Sequence, residues 1–178
     1  MPEFIDDSTF GTYFETFEHT AWRLETRRGY GSDRAGEKYR RYLDTGTVSD
    51  DSDRPWCVNV RAQTSRGKRF ERVRIVDQPP TPEQLYLLAT AATNNKAGED
   101  IRNLWRTDAE KVALPTEDFW LFDARRALVL HFDDGDGYLG AELIEDPVRI
   151  VEFCQIRDAA WHYAIRREEF LAQVASIA

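Results

Sequence analysis

The sequence predicts an α+β fold: a mostly antiparallel sheet of five to six strands, with helices packed against it and a long C-terminal helix, in a single domain over residues 1–178. Three observations carry this. Two uninterrupted apolar runs, 119–122 and 127–132, have the length and composition of strands covered on both faces. The second run is followed by Asp-Asp-Gly-Asp-Gly (133–137), a hairpin turn signal, and then by an alternating segment, 138–144, which completes a three-strand meander. Two helix-start signals, Thr81-Pro82 and Asp146-Pro147, each place a proline in the first helical turn behind a capping side chain.

The remaining elements follow in order. Ser8 is placed to cap a short helix on which Phe10, Tyr13, Phe14 and Phe17 share one face. Residues 21–25 alternate as a strand, with Trp22 and Leu24 on one side and Arg23 and Glu25 on the other. Ser32 or Asp33 caps a second helix over 34–43, with Ala35, Tyr39, Tyr42 and Leu43 as its inner stripe. The acidic stretch 44–54 is a loop, too short to separate domains. Residues 56–62 alternate, and 70–76 return after a turn at 65–68, so 56–76 reads as a β-hairpin. Phe70 and Val73 are out of phase there, which allows a bulge. A helix from Pro82 to Asn94-Asn95 buries Leu85, Leu88, Ala89 and Ala92. Residues 97–105 read as a further helical turn or an irregular segment. In the meander, Leu139, Ala141 and Leu143 point inward. The last helix runs from Pro147 to about Ile177, with a break near Arg166. Val151, Cys154, Trp161 and Ile165 form its buried stripe, and Asp158 lies on that stripe. Hairpin connections dominate, so the helices are expected against one face.

Composition narrows the function classes. Ten phenylalanines, seven tyrosines and five tryptophans in 178 residues are an aromatic load that a disordered chain does not carry. The net charge of −8 argues against direct nucleic-acid binding. Two basic groupings, Arg23 to Arg41 and Arg66 to Arg74, are interrupted by acids and read as solvated faces. Cys57 and Cys154 lack metal-site or redox spacing and read as buried free thiols. The N-terminus shows no leader pattern and no apolar run reaches the length of a membrane span. The expectation is a cytoplasmic protein without a membrane partner.

Motifs for chemistry are missing from the sequence. The Asp133, Asp134, Asp136 turn fails the calcium-loop spacing and is not expected to bind calcium. Glu99 and Asp100 are adjacent, so on a helix their carboxylates diverge by about 100°. With Asp118 and Asp123 they are the carboxylates a divalent metal would use. His19, His131 and His162 sit in unlike contexts, and neither a nucleophile elbow nor a phosphate-binding glycine loop occurs. No catalytic residue, metal ligand or cofactor is therefore assigned, and the reading leans away from an enzyme. Charges on apolar segments are the oddest feature: Arg23, Glu25, Arg102, Arg157 and Asp158 must pair or face a cleft, because an isolated buried ion is costly. The expected pair is Asp158 with Arg102 or Arg23, and losing it by Asp158→Ala would cost roughly 3 kcal/mol.

Five segments taken together, Ala-Trp-Arg-Leu-Glu (21–25), Arg-Val-Arg-Ile-Val (72–76), Ala-Gly-Glu-Asp-Ile-Arg (97–102), Asp-Phe-Trp-Leu-Phe-Asp (118–123) and Arg-Asp-Ala-Ala-Trp (157–161), resemble an actinobacterial family built on a domain of unknown function. Genes of that family often neighbour helix-turn-helix regulators and small partner proteins, in modules likened to toxin–antitoxin systems. The resemblance implies a regulatory or interaction role and supplies no catalytic residues.

Three functions remain open at this point. The first is a non-enzymatic accessory protein that binds another protein, such as a transcriptional regulator, and a homodimer is compatible with it. The second is a small metal-dependent phosphodiesterase or nuclease built on Glu99, Asp100, Asp118 and Asp123. The third is a small-molecule sensor with a pocket lined by Trp22, Trp120 and Trp161. Ligand or partner contacts are expected from Arg23, Glu25, Glu99, Asp100, Arg102, Asp118, Asp123, Arg157, Asp158 and Trp161.

Overall fold

The computed structural model describes residues 2–177. Its chain order is β1 (Phe4–Ile5), α1 (Asp7–Thr16), β2 (Thr20–Glu25), α2 (Gly31–Ala35), α3 (Glu37–Thr45), α4 (Pro55–Thr64), β3 (Arg69–Val76), α5 (Pro82–Ala97), β4 (Glu99–Trp105), α6 (Arg106–Lys111), β5 (Asp118–Phe122), β6 (Arg126–Phe132), β7 (Tyr138–Ile144), α7 (Pro147–Tyr163), β8 (Ile165–Arg166) and α8 (Arg167–Ile177). The described strands form one sheet in the order β1-β7-β6-β5-β2-β3-β4-β8. It is mostly antiparallel, and only the β2–β3 and β3–β4 pairs are parallel. The eight strands exceed the five to six expected, because two-residue strands at both edges, and β4, carry little sequence signal.

The meander is as read. β5 and β6 pair antiparallel, with Phe119 opposite Val129, and Leu121 and Leu130 are buried. β6 and β7 follow suit, but Phe132 pairs with Tyr138 and His131 with Gly140. Leu139 is the extra residue of that irregularity and is exposed rather than inward.

Other elements differ from expectation. Residues 55–64 form a helix, not the first arm of a hairpin. β3 is already paired on both edges, by β2 and β4, so no partner position is left. A parallel β2–β3 pair also needs a crossover, which α4 helps supply. The buried residues Cys57, Val60 and Gln63 recur every third position, a helical spacing that the Trp56–Val58–Val60–Ala62 alternation obscures. Likewise 99–105 is a strand. Gly98 adopts a left-handed φ of 117° that ends α5 and turns the chain into β4. The predicted helix 34–43 is two helices divided at Gly36, and Leu43 is exposed. The expected break near Arg166 is the short strand β8 against Arg102 and Asn103. It splits the long C-terminal helix into α7 and α8.

Helices cover both faces of the sheet, not one. On one face, Trp22, Leu24, Val73, Ile75, Phe119 and Leu121 pack against Ile150, Phe153 and Ala160 of α7 and Ala109 of α6. On the other, Ala21, Phe70, Phe122 and Leu128 pack against Phe14 of α1 and Cys57 and Val60 of α4. Every central strand therefore has two buried sides, which explains why the alternation of β2 does not mark an exposed face.

Asp6, rather than Ser8, caps α1, its Oδ1 accepting the amide of Thr9 at 2.9 Å. Gly11 lies inside this helix, with open space where a Cβ would project. Gly11→Ala is expected to stabilise the protein by about 0.5–1 kcal/mol, since it removes unfolded-state freedom without a clash. A urea melt with a raised midpoint and an unchanged slope is the check.

Candidate ligand-binding site

Alternation on the central strands decides what faces the second layer. β2 sends Ala21, Arg23 and Glu25 to the α1/α4 face, and β3 sends Phe70, Arg72 and Arg74 there, with Arg23 in register with Arg72 and Glu25 with Arg74. The face is thus apolar near the start of the parallel strands and charged toward their C-terminal ends. β2 is where the strand order reverses, with β3 on one side and β5 on the other. Open sheets with parallel strands place ligands in the crevice beyond the strand ends at such a point.

The charges there form a closed network. Arg72 donates from Nε to Glu99 Oε1 at 2.9 Å, from Nη2 to the same oxygen at 2.5 Å, and from Nη1 to Glu25 Oε1 at 2.7 Å. Arg74 donates from Nε to Glu25 Oε2 at 2.6 Å and from Nη1 to the carbonyl of Leu87 on α5 at 2.8 Å. Glu99 also accepts from Trp56 Nε1 on α4 and from Asn94 Nδ2 on α5, at 3.0 and 2.9 Å. Asp118 accepts from the Tyr30 hydroxyl at 2.5 Å and from the amide and hydroxyl of Thr26 at 2.7 and 2.8 Å. Glu25, Arg72, Arg74, Glu99 and Asp118 are all buried. Burial alone would push the Glu25 carboxyl up, but Arg74, Arg72 and Arg23 outweigh it and hold it well below the usual carboxylate range. Burial, with Glu25 and Asp118 nearby, pushes the Tyr30 hydroxyl well above its ordinary value.

Arg23 is the loose member. Its Nη1 lies 3.3 Å from Glu25 and its Nη2 3.5 Å from Asp118, while its buried Nε has no hydrogen-bond partner. Its guanidinium sits 5.5 Å from the Trp120 ring centre and 5.7 Å from that of Tyr30. Around it the aromatic rings form a continuous chain: Trp56 to Trp120 at 5.7 Å, then Phe14, Phe10, Tyr138, Phe132 and Tyr30, with successive centroids 4.9–6.4 Å apart. These rings, Arg23 and the α5 residues Tyr86, Leu87 and Ala91 line a cavity of about 690 Å³. That volume and an apolar lining with few polar groups are usual for small-molecule sites. Asp33 of α2 stands at the rim, its carboxyl raised by burial and by Glu25.

The cavity is roofed by the segment after β2. Asp136 of the β6–β7 turn accepts from Arg27 Nε at 2.7 Å and Arg34 Nη2 at 2.8 Å, and its carbonyl accepts the amide of Gly31 at 2.9 Å. Asp133 Oδ1 closes the turn itself by accepting the amides of Gly135 and Gly137, both at 2.8 Å. Asp136 thus acts as a latch for α2.

Of the residues singled out from sequence, Arg23 and Glu25 line this cavity, and Glu99 and Asp118 pair with its arginines Arg72 and Arg23. Asp100 and Arg102 are on the other face, where Arg102 pairs with Asp100 at 3.0 Å and stacks 3.8 Å from the Trp161 ring centre. Arg157, Asp158 and Trp161 line a separate cleft of about 470 Å³ with Thr20, Arg69, Glu71 and His162. Asp158 does not reach Arg102 or Arg23: its side chain is 70% exposed and pairs with Arg157 at 2.9 Å. Asp123 is at the far end of β5, where its carboxylate accepts the amides of Glu18, His19 and Thr20 at 2.7–2.9 Å. The four carboxylates considered for a metal are therefore spread over two faces and a turn. Among the described residues no group of three or more His, Cys, Asp or Glu side chains is placed to hold a metal ion. Of the other tryptophans expected to line a pocket with Trp120, Trp22 is buried in the opposite core, and Trp161 packs partly buried against that core and lines the separate cleft.

Sequence reasoning missed Arg72 and Arg74, which were read as part of a solvated basic face, and the rings of Phe10, Phe14, Tyr30 and Trp56. The alternation Arg-Val-Arg-Ile-Val carried the signal for the arginines, since Val73 and Ile75 leave Arg72 and Arg74 on one common side.

Among the described residues no helix is long and apolar enough to cross a membrane. No curated protein matches the sequence. A family model, described as a domain of unknown function (DUF6879), matches residues 8–172 and so takes in β2 to β8 and every residue of the charged network; the chain belongs to that family.

Proposed function

We propose that the protein is a non-enzymatic small-molecule-binding domain with a regulatory role, and that its ligand occupies the aromatic cavity above Arg23. The observation that carries this is the coincidence of a 690 Å³ aromatic cavity with the Arg23 guanidinium in its lining, whose Nη atoms make only long ion-pair contacts, 3.3 and 3.5 Å, within the protein. Buried donors are normally satisfied, and a ligand acceptor would satisfy these. The regulatory half of the reading draws on the resemblance to actinobacterial proteins encoded beside helix-turn-helix regulators, and makes such a regulator the protein partner that senses occupancy. Large exposed apolar side chains are spread over α3, α4, β7 and α7, at Leu43, Val58, Leu139, Val148 and Val151. That distribution favours a ligand pocket over a single broad docking patch.

Native mass spectrometry of protein purified from its own cells tests the reading, using Gly11→Trp as the control. Gly11 lines the cavity and a Cβ there meets no atom within 4 Å, so a tryptophan is the substitution chosen to obstruct the cavity. A small molecule carried by the parent protein and missing from Gly11→Trp is the expected result. A parent protein that carries no more bound small molecule than Gly11→Trp would defeat it.

A further inference from the structure

The charge balance at the cavity floor goes further and restricts the ligand; this step rests on the cavity being a ligand site. We infer that the ligand is an uncharged planar aromatic or heteroaromatic molecule that presents a carbonyl or ring-nitrogen acceptor to Arg23.

Arg23, Arg72 and Arg74 face Glu25, Glu99 and Asp118, and the other charged lining residues, Arg54 and Asp33, are of opposite sign, so the site is formally neutral. Arg72 and Arg54 spend all three nitrogens on acceptors of the protein and Arg74 spends two, which leaves Arg23 as the guanidinium with most donors open to a ligand. An aromatic enclosure alone would suit a cation, because ring faces are electron-rich. Here the guanidinium of Arg23 already occupies that position against Trp120 and Tyr30, and an ammonium group would be set beside it. An anion fares no better. Glu25 and Asp118 flank the same guanidinium within 3.5 Å, so a ligand carboxylate would lie against two like charges. A neutral acceptor gains the hydrogen bond and meets neither repulsion. The planar requirement comes from the walls: rings on the sheet side and Tyr86 on the α5 side leave ring faces as the main contact surface.

Isothermal calorimetry with three shape-matched probes tests this: 2-naphthamide, 2-naphthoate and 2-naphthylmethylammonium, at a pH where the last two are fully charged. The amide is expected to bind at least about tenfold more tightly than either charged analogue, and Arg23→Lys, which replaces the planar pair of Nη donors by a single ammonium, to weaken it by about tenfold or more. The ranking is measured on the unaltered protein, so it holds as a test even if Arg23→Lys folds poorly. A charged analogue binding best, in a manner blocked by Gly11→Trp, overturns the ligand class while the ligand site stands. Binding that Gly11→Trp leaves untouched removes the site itself, and no binding by any of the three overturns the class.

Discussion

Glu25→Gln is expected to destabilise the protein by about 3–5 kcal/mol, the usual cost of removing one partner from a buried ion pair. The neutral amide leaves Arg72 Nη1 and Arg74 Nε facing a group that carries no charge, on a strand where water cannot replace it. Denaturant unfolding at neutral pH measures the loss, with the exposed pair Arg157–Asp158 as the contrast: Asp158→Ala should move stability by no more than about 0.5 kcal/mol. The network also sets an acid limit. A carboxyl whose folded value is depressed contributes stability that is complete above its unfolded value, about 4.3, and is lost as pH falls toward the folded one. The Glu25 contribution is therefore whole at pH 7 and declines below about pH 4. A Glu25→Gln protein should show a flatter stability profile across that acid range than its parent.

The second large effect concerns which side of α7 is buried. Phe153→Ala is expected to cost about 3–5 kcal/mol, whereas Val151→Ala should change stability by less than about 0.5 kcal/mol. Phe153 is 1% exposed and packs on Phe119 with ring centroids 4.5 Å apart, while Val151 is 56% exposed. Equal losses for the two variants in a urea melt would contradict the packing described.

That pair also shows why part of the fold was not legible. The buried side of α7 runs through Ile150, Phe153, Ala160 and Ala164, and the stripe Val151, Cys154, Trp161 is one position away. Both have apolar residues at helical spacing, so periodicity could not choose between them, and the wrong choice placed Asp158 indoors. The meander was legible because β5 and β6 are continuously apolar and joined by short turns. β4 was not, because a strand with Glu99, Asp100, Arg102 and Asn103 looks soluble until its neighbours are known. The cavity was half legible. Arg23 and Glu25 stood out as charges beside Trp22 and Leu24, and had to pair or face a cleft; they do both. The partners of Glu25, Arg72 and Arg74, come from a strand 47 and 49 residues away, and a pairing at that separation is set by sheet order, not by local pattern.

The latch at Asp136 gives the cavity a kinetic character as well as a shape. Arg27 and Arg34 grip one half-exposed carboxylate, and that grip holds α2, with Tyr30 and Asp33, over the opening. A molecule seated against Tyr30 and Asp33 would therefore owe part of its residence time to two ion pairs it never touches. Such pairs are screened by dissolved salt, with a Debye length near 8 Å at physiological strength. Exchange should consequently quicken as salt rises, and quicken sharply in Asp136→Ala, even where the equilibrium affinity barely moves.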